Sequence, residues 1–552
     1  IRLSLVGSEM CIRDRDTMSS VRTQARRWVY LVHRWLSIGT CVLALLWLIS
    51  GVTMLFVGYP KLLPGERLQS LQPLQTLAGK DCCMPTETLL QRSPQTSAGV
   101  RQLMLIREGD RFLYRVQDTK GAWALFDART GQRQPPADAA AALAGARRFV
   151  PGAAGAVVGR VQEDRWTHAG SLDAHRPLWQ VEMQDTARTR LYISSATGEV
   201  VLDLPRTQRL LNYMGAWLHW LYMFREGSRD PVWSWTVIVL SALGTVAVVT
   251  GAIAGIWRWR FQGRYKSGSR SPYREGFMRW HHVLGLVFGA VLATWMFSGL
   301  MSMNPLGVFS ARGQSPDLLG YRGGSPGMQQ PAIPAHEVLD ALASTPLRPV
   351  ELEWRVLGGT AFVLARDRLG ETRLLRRDDH GRLAVAREWT DDELMAVAPR
   401  LFGSAHLVSA AYLGAFDAYY FARGDSSMYA GEDRALPVLR LVFDDPGRTR
   451  VYVAPATGEV VLSADRAERA GRWLFNLLHS WDLPAMLRPA PVRDGVLILL
   501  SLGALGIAGT GTVLGLRRLT QNRTAKPRPK RANASPASPA RRSPTAADPA
   551  RR

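Results

Sequence analysis

The chain has 552 residues and a net charge of +23, from 69 Lys and Arg against 46 Asp and Glu. This length exceeds that of one ordinary domain, and a charge this positive would by itself favour nucleic acid as a partner. The distribution of the cations excludes that interpretation. Nearly all of the excess lies before the first, between the second and third, and after the fourth of four apolar runs.

The four apolar runs, 36–59, 232–257, 283–306 and 496–516, are uncharged and long enough to cross a bilayer. The positive-inside rule places the Arg- and Lys-rich flanks in the cytoplasm. We therefore predict a multi-pass protein of the bacterial inner membrane, in contact with lipid, with both termini in the cytoplasm. The two long segments between the runs are then periplasmic.

The predicted organisation follows directly from these runs and their flanks. In chain order it comprises a leader foreign to the native protein (1–17, with Met18 as the native start), a cytoplasmic N-terminus with the first span (18–59), a first long segment (60–207), an interfacial helix (208–231), the second span (232–257), a basic cytoplasmic loop (258–282), the third span (283–306), a second long segment (307–468), a second interfacial helix (469–495), the fourth span (496–516) and a disordered basic cytoplasmic tail (517–552).

Each long segment has helix-like pieces followed by short alternating runs separated by Gly-containing turns, as in "LYISSATGEV" (191–200) and "VYVAPATGEV" (451–460). Such alternation predicts antiparallel hairpins, so each segment is expected to hold two small α+β units. Cys82 and Cys83 are adjacent in the first segment. They are expected to form a strained vicinal disulfide or to bind a soft metal, if they have any role.

The two halves of the chain match each other at constant offsets. His219 and His479 lie 260 residues apart, as do the stretches "RTRLYISSATGEVVL" (188–202) and "RTRVYVAPATGEVVL" (448–462). His33 and His281 lie 248 residues apart, at the same offset as Ser50-Gly51 and Ser298-Gly299. The fold class predicted is therefore an α-helical four-span bundle with an internal two-fold repeat, plus two periplasmic α+β domains.

These motifs resemble those of the PepSY-associated transmembrane proteins. "HRWLSIGTCVLALLWLISG" is similar to the first-span motif of that family, and the two "ATGEVV" stretches are similar to the end of a PepSY domain. The resemblance covers most of residues 20–520. It implies PepSY-like long segments and a link to iron, since members include iron-regulated inner-membrane proteins and a haem-carrying reductase of ferric siderophores.

Histidine near a bilayer is costly and tends to be kept for function, and here two positions keep it in both halves. We predict two haem b groups, each with two histidine ligands: His33 with His281 on the cytoplasmic side, and His219 with His479 on the outer side. Arg34 and Arg279 are candidates for binding the propionates. Zinc would need a third or fourth ligand, and copper would favour added Met or Cys. Pairing within one half, or His282 in place of His281, stays open.

The predicted function is electron transfer across the membrane to a ferric complex such as a ferric siderophore, which makes the chain an oxidoreductase. The donor is a quinol or a cytoplasmic reductase, because no nucleotide-binding fingerprint appears. One alternative is a non-enzymatic, membrane-anchored PepSY module that binds or regulates other proteins. Another is a transporter subunit, although no span carries a charge in mid-bilayer.

Overall fold

The computed structural model describes residues 6–74, 82–92, 99–227, 230–328, 332–424, 427, 434–487 and 490–524. Residues 1–5 of the predicted leader and 525–552 of the predicted tail lie outside the described residues.

Four helices are long and apolar enough to cross a membrane, which confirms the prediction of a multi-pass helical membrane part. Their spanning portions are Arg22–Met54, Pro231–Arg258, Gly276–Ser302 and Pro491–Thr520. Capping explains where the two middle helices begin. The Asp230 carboxylate accepts a hydrogen bond from the Trp233 amide, and Glu275 does the same for Met278.

The remaining helices are short and belong to the long segments or to the approaches to the spans. The helices, in chain order, are α1 (Val6–Met54), α2 (Pro64–Ser70), α3 (Thr86–Arg92), α4 (Ala139–Phe149), α5 (Arg206–Asn212), α6 (Pro231–Arg258), α7 (Gly276–Ser302), α8 (Leu318–Arg322), α9 (Ala335–Ala343), α10 (Asp391–Val397), α11 (Arg466–Gly471), α12 (Leu478–Ser480), α13 (Pro484–Leu487) and α14 (Ala490–Thr524). Two π-helical turns, Tyr213–Trp217 and Arg472–Leu477, continue α5 and α11.

The strands all belong to the long segments, which confirms that these segments combine helices with β-sheet. They are β1 (Val100–Glu108), β2 (Arg111–Asp118), β3 (Trp123–Asp127), β4 (Gly155–Val161), β5 (Leu178–Met183), β6 (Arg190–Ser194), β7 (Val200–Leu204), β8 (Pro349–Leu357), β9 (Thr360–Asp367), β10 (Thr372–Arg377), β11 (Leu383–Ala386), β12 (Leu407–Leu413), β13 (Val438–Phe443), β14 (Arg450–Ala454) and β15 (Glu459–Ala464).

The four long helices pack as a ring in which α1 neighbours α6 and α14, and α7 neighbours the same two helices. Glycines permit the close crossings. A Cβ at Gly503 of α14 would lie 2.4 Å from the Phe288 ring of α7, and one at Gly244 of α6 would lie 2.1 Å from Met296. As a result α1 and α7 face each other diagonally across the bundle.

The two long segments share one seven-stranded antiparallel sheet, with strand order β11-β10-β9-β8-β1-β2-β3. The junction is the pairing of β1 with β8, where Leu103 is opposite Trp354. Two separate four-stranded sheets, β4–β7 and β12–β15, flank this shared sheet. No motif in the sequence indicates this junction, which joins the two halves of the chain outside the bundle.

The repeated "ATGE" turns fasten the flanking sheets to the shared sheet. Glu199, in the turn before β7, forms a 2.7 Å ion pair with Arg115 of β2. Glu459, its counterpart in the second half of the chain, forms a 3.0 Å ion pair with Arg355 of β8. Each turn glutamate therefore connects its own small sheet to the sheet that both segments build.

Cys82 and Cys83 are bonded to each other as a disulfide. Both are partly buried and pack against the apolar core beneath the shared sheet. Of the two roles considered for these residues, the disulfide is the one present in the structure.

Candidate functional site

The inner pair, His33 of α1 and His281 of α7, meets across the bundle. The two ring centroids are 6.2 Å apart and the ring planes are inclined by 29°. Each ring leans on a different neighbouring helix. His33 packs against Gly251 of α6, and His281 packs against Gly511 of α14.

Hydrogen bonds fix the orientation of both inner rings. His33 Nδ1–H donates to the Ala247 carbonyl at 2.9 Å, and His281 Nδ1–H donates to the Ile507 carbonyl at 3.1 Å. Since a carbonyl only accepts, Nδ1 must carry the proton in each ring. Nε2 of both rings is then unprotonated and available as a metal ligand.

His282 is engaged elsewhere and is not equivalent to His281. Its Nε2–H donates to the Gly255 carbonyl at 2.9 Å, and its Nδ1 accepts from the Ser271 hydroxyl at 2.8 Å. Both ring nitrogens are thus used. The geometry favours His281 over His282 as the partner of His33.

The outer pair, His219 and His479, lies next to the other ends of α1 and α7. The ring centroids are 6.1 Å apart and the planes are inclined by 70°. Each histidine follows a π-helical turn, and shortly after each one the chain has positive φ, at Leu221 (55°) and at Trp481 (48°). π-Helical turns widen a helix locally and are frequent at functional sites.

Two serines determine the protonation of the outer rings. Ser50 Oγ donates its hydrogen to the Leu46 carbonyl at 2.6 Å, so it accepts from His219 Nδ1–H at 3.1 Å. Ser298 Oγ donates to the Trp295 carbonyl at 3.1 Å and accepts from His479 Nδ1–H at 3.0 Å. Nε2 of each outer ring is therefore also unprotonated.

Burial keeps the outer pair neutral. Desolvation, and then the neighbouring His479, lowers the pKa of His219 to about 3. Desolvation lowers the pKa of His479 to about 4. A coordinating imidazole must be neutral. At neutral pH protons therefore do not compete with a metal for either ring nitrogen.

A cavity of about 1070 Å³ surrounds the outer pair, between the bundle and the long segments. Trp47 and Trp295 line it from the bundle, and Phe421 and Arg423 line it from the second long segment. Arg225 adds a second cation to the wall, with its guanidinium 4.7 Å from the centre of the Trp233 ring. Asp482 and Asp494 line it too, and Arg423 is ion-paired with Asp482 at 2.7 Å. The cavity therefore joins an apolar floor to a wall of mixed charge.

Each pair of imidazoles would suit a haem held by two histidines. A metal–imidazole bond is about 2 Å and the ring centre lies roughly 1 Å beyond the nitrogen, so two rings on one metal have centres about 6 Å apart. Both pairs have this separation. Among the described residues, no group of three or more His, Cys, Asp or Glu is placed to hold a metal ion.

No protein-family model matches the chain, and no curated protein matches it. The resemblance to PepSY-associated proteins therefore depends on the motifs alone.

The other predicted site residues, Arg34 and Arg279, are exposed and lie close to the inner histidines in sequence. Their predicted role with propionates stays a prediction. Arg225 and Arg423 could not be recognised as site residues from the sequence, because neither has an arginine as its counterpart in the other half of the chain. His168 lies on a loop of the first long segment. His168 is buried because its amide donates to the Tyr59 hydroxyl and its ring packs edge-on against Tyr222.

Proposed function

We propose that this chain is a haem-containing electron-transfer protein of the bacterial inner membrane that reduces periplasmic ferric complexes, ferric siderophores in particular. The observation that carries the proposal is the occurrence, twice, of two facing imidazoles with unprotonated Nε2 atoms about 6 Å from centre to centre. Membership of the PepSY-associated transmembrane family is part of the same proposal.

The matched contacts of the two halves support an internal repeat. Ala247 and Ile507, which accept from the inner histidines, occupy equivalent positions of the two halves, at the offset that separates His219 from His479. The glycines beneath the inner rings, Gly251 and Gly511, match at that same offset. The acceptors at the outer pair, Ser50 and Ser298, match at the offset of the inner histidines. Because each half of the chain provides a histidine ring, a hydrogen-bond acceptor and a glycine at matching positions, the two halves would hold the cofactors in similar surroundings.

When bound, haem supplies one-electron transfer without an open coordination site. The work of this chain is to bind and orient. His33 and His281 would hold one haem, and His219 and His479 the other. The Nδ1–H donations keep all four imidazoles in the ligating tautomer and fix the ring planes.

The outer cavity gives a ferric substrate a route to the outer pair. Arg225 in its wall would attract the negative charge of a ferric complex, whereas Arg423 is ion-paired with Asp482. One electron converts ferric to ferrous iron, which siderophore oxygens bind far more weakly, so reduction is enough to release the metal. The positive charge within loop 258–282 favours a cytoplasmic position for this loop. The proposed orientation therefore places the long segments in the periplasm.

The test is the absorption spectrum of the detergent-purified chain, oxidised and dithionite-reduced, with a pyridine haemochrome assay. We expect a Soret band and about two haems per chain, since two bis-histidine sites are proposed. His406→Ala is the matched control, because the His406 side chain is 88% exposed and its loss should leave the spectrum unchanged. A colourless preparation after expression with ample iron would favour the non-enzymatic binding module instead.

A further inference from the structure

We infer that loop 259–275, with the adjoining ends of the bundle helices, docks an acidic, soluble electron-carrier protein that delivers electrons to the inner pair. The destination of those electrons depends on the proposed function. The docking itself is a separate property, and binding measurements test it directly.

The first observation is the unbalanced charge at this end of the bundle. The exposed cations there are Arg22, Arg26, Arg27, Arg34, Arg260, Arg264, Lys266, Arg270, Arg274, Arg279, Arg517 and Arg518. Within residues 22–34, 259–279 and 517–518 the acid is Glu275, which is paired with Arg517 at 2.9 Å; the acids Glu9, Asp14 and Asp16 lie further along α1, in the predicted leader. In the long segments, by contrast, partly buried arginines such as Arg366 are matched by buried glutamates. A surface of one sign attracts partners of the other sign.

The second observation is that the loop has a fixed shape. The Tyr265 amide donates to the Ser269 carbonyl at 2.8 Å, and the Arg260 amide donates to the Arg270 carbonyl at 3.1 Å. The Arg260 guanidinium lies 4.0 Å from the centre of the Tyr265 ring. Topology requires only that the positive charge be present. A folded loop in addition holds its cations at set positions, as the charge complementarity of a protein interface requires.

The third observation connects the loop to the inner pair. His282 bonds to Ser271 of the loop and to the Gly255 carbonyl of α6, so it fastens the loop onto the bundle. The preceding residue, His281, belongs to the inner pair, and Gly251, one turn before Gly255, contacts His33. A protein docked on this loop is therefore brought next to the inner pair. Anionic lipid would satisfy the charge but would supply no electrons.

The experiment measures binding of two acidic probes, a flavodoxin and a [2Fe–2S] ferredoxin, to the full-length chain in detergent. The variant combines Lys266→Glu, Arg270→Glu and Arg274→Glu, whose side chains are exposed. The matched control reverses three exposed arginines of the first long segment, Arg129→Glu, Arg133→Glu and Arg147→Glu.

We expect the dissociation constant of at least one probe to rise about tenfold or more in the loop variant, and to change less than about twofold in the control. Salt should weaken wild-type binding. The rate of haem reduction by the reduced probe should fall in parallel with binding, while reduction by dithionite stays unchanged.

Three results would overturn the inference: neither probe binds at low salt, the loop variant binds as tightly as the wild type, or the loop variant alters only association with anionic vesicles. Failure of the proposed function is distinguishable from each of these. A preparation without haem counts against the proposed function. A loop variant with normal haem content that loses probe binding, but whose haem is still reduced by the probe at the wild-type rate, counts against the docking surface alone.

Discussion

Replacing Gly251 with alanine is predicted to remove the inner haem and to leave the outer one. A Cβ at this position would lie 2.5 Å from Cε1 of His33 and 2.7 Å from Nδ1, so the ring would have to retreat by at least 0.9 Å to reach the 3.4 Å of an ordinary contact. The bond from His33 Nδ1 to the Ala247 carbonyl, on the same helix, resists that movement. The ring can move only by giving up this bond and its position opposite His281.

The effect should come from the ring and not from the helix. Alanine is favoured over glycine in a helix interior by about 1 kcal/mol, so α6 is not weakened. Overpacking a filled site typically costs about 1–3 kcal/mol, and the displaced ring relieves that cost by leaving the metal. The expected result is therefore a stable protein with one haem.

Three other glycines, one beside each of the other three rings, provide a graded series. A Cβ would lie 3.3 Å from His281 at Gly511, 3.5 Å from His219 at Gly51 and 4.0 Å from His479 at Gly299. Gly299→Ala is the matched control because its added methyl meets the histidine at an ordinary distance. Gly511→Ala should give an intermediate loss, and Gly51→Ala little or none.

Haem per chain, from the pyridine haemochrome assay, is the readout, together with a redox titration that shows which of the two steps disappears. Gly251→Ala should fall from about two haems to about one, and Gly299→Ala should keep both. Full haem content in Gly251→Ala would refute the placement of His33 as a ligand. Equal losses in Gly251→Ala and Gly299→Ala would refute the steric argument.

Three more predictions address the outer site and the long segments. His219→Ala or His479→Ala should remove one haem and abolish reduction of a ferric siderophore, which is measured by trapping the ferrous iron released. The inner redox step should survive. Loss of both redox steps would show that the two pairs do not bind haem separately. Glu199→Gln should lower the free energy of unfolding by about 3–5 kcal/mol, because it leaves the buried Arg115 without its ion pair. The Glu459 side chain is 45% exposed, so Glu459→Gln should lower this free energy by less than about 1 kcal/mol. Equal melting temperatures of the two variants would contradict this. Burial, and then a neighbouring carboxylate, raises the pKa of Asp203 from the ordinary 3.8 to about 6. The folded protein therefore holds the Asp203 proton more tightly than the unfolded chain does, and the stabilisation by this proton is complete below pH 3.8 and is lost as the pH rises through 6. Asp203→Asn should stabilise the protein at pH 7.5 by at most about 3 kcal/mol and change its stability little at pH 4.

The membrane part of the fold could be predicted because its signal is local. Twenty or so uncharged apolar residues have few alternatives to crossing a bilayer. The meeting of His33 with His281 could be proposed from equal spacing in the two halves, without any knowledge of contacts. These features are readable one stretch at a time.

The shared sheet could not be predicted, because the pairing of Leu103 with Trp354 joins strands from opposite halves of the chain that carry no matching motif. The same holds for the Ala247 and Ile507 carbonyls, since any residue type offers a backbone acceptor. The burial of His168 could not be predicted for a related reason. Its burial depends on Tyr59 and Tyr222, which approach it from two other parts of the chain.

The two pairs differ in how closely their surroundings match, and this bears on the direction of electron flow. Both inner rings donate to a backbone carbonyl and pack on a glycine, and they differ only in a hydroxyl near Nδ1, Ser37 for His33 and Thr510 for His281. At the outer pair the Trp47 indole N–H donates to the His219 carbonyl at 2.8 Å. The indole N–H of Trp295, its counterpart, is buried with no hydrogen-bond partner among the described residues.

The walls beyond the outer pair diverge further. Tyr222 packs against His168, whereas Asp482, which takes the position of Tyr222 in the second half, binds Arg423 and Arg472. Hydrogen bonding, burial and nearby charge are the quantities by which a protein sets a haem potential. If the two pairs hold haems as proposed, sites with the same ligands but different walls would have different potentials. The proposed one-way electron transfer requires such a difference, and it would come from the residues at which the two halves no longer match.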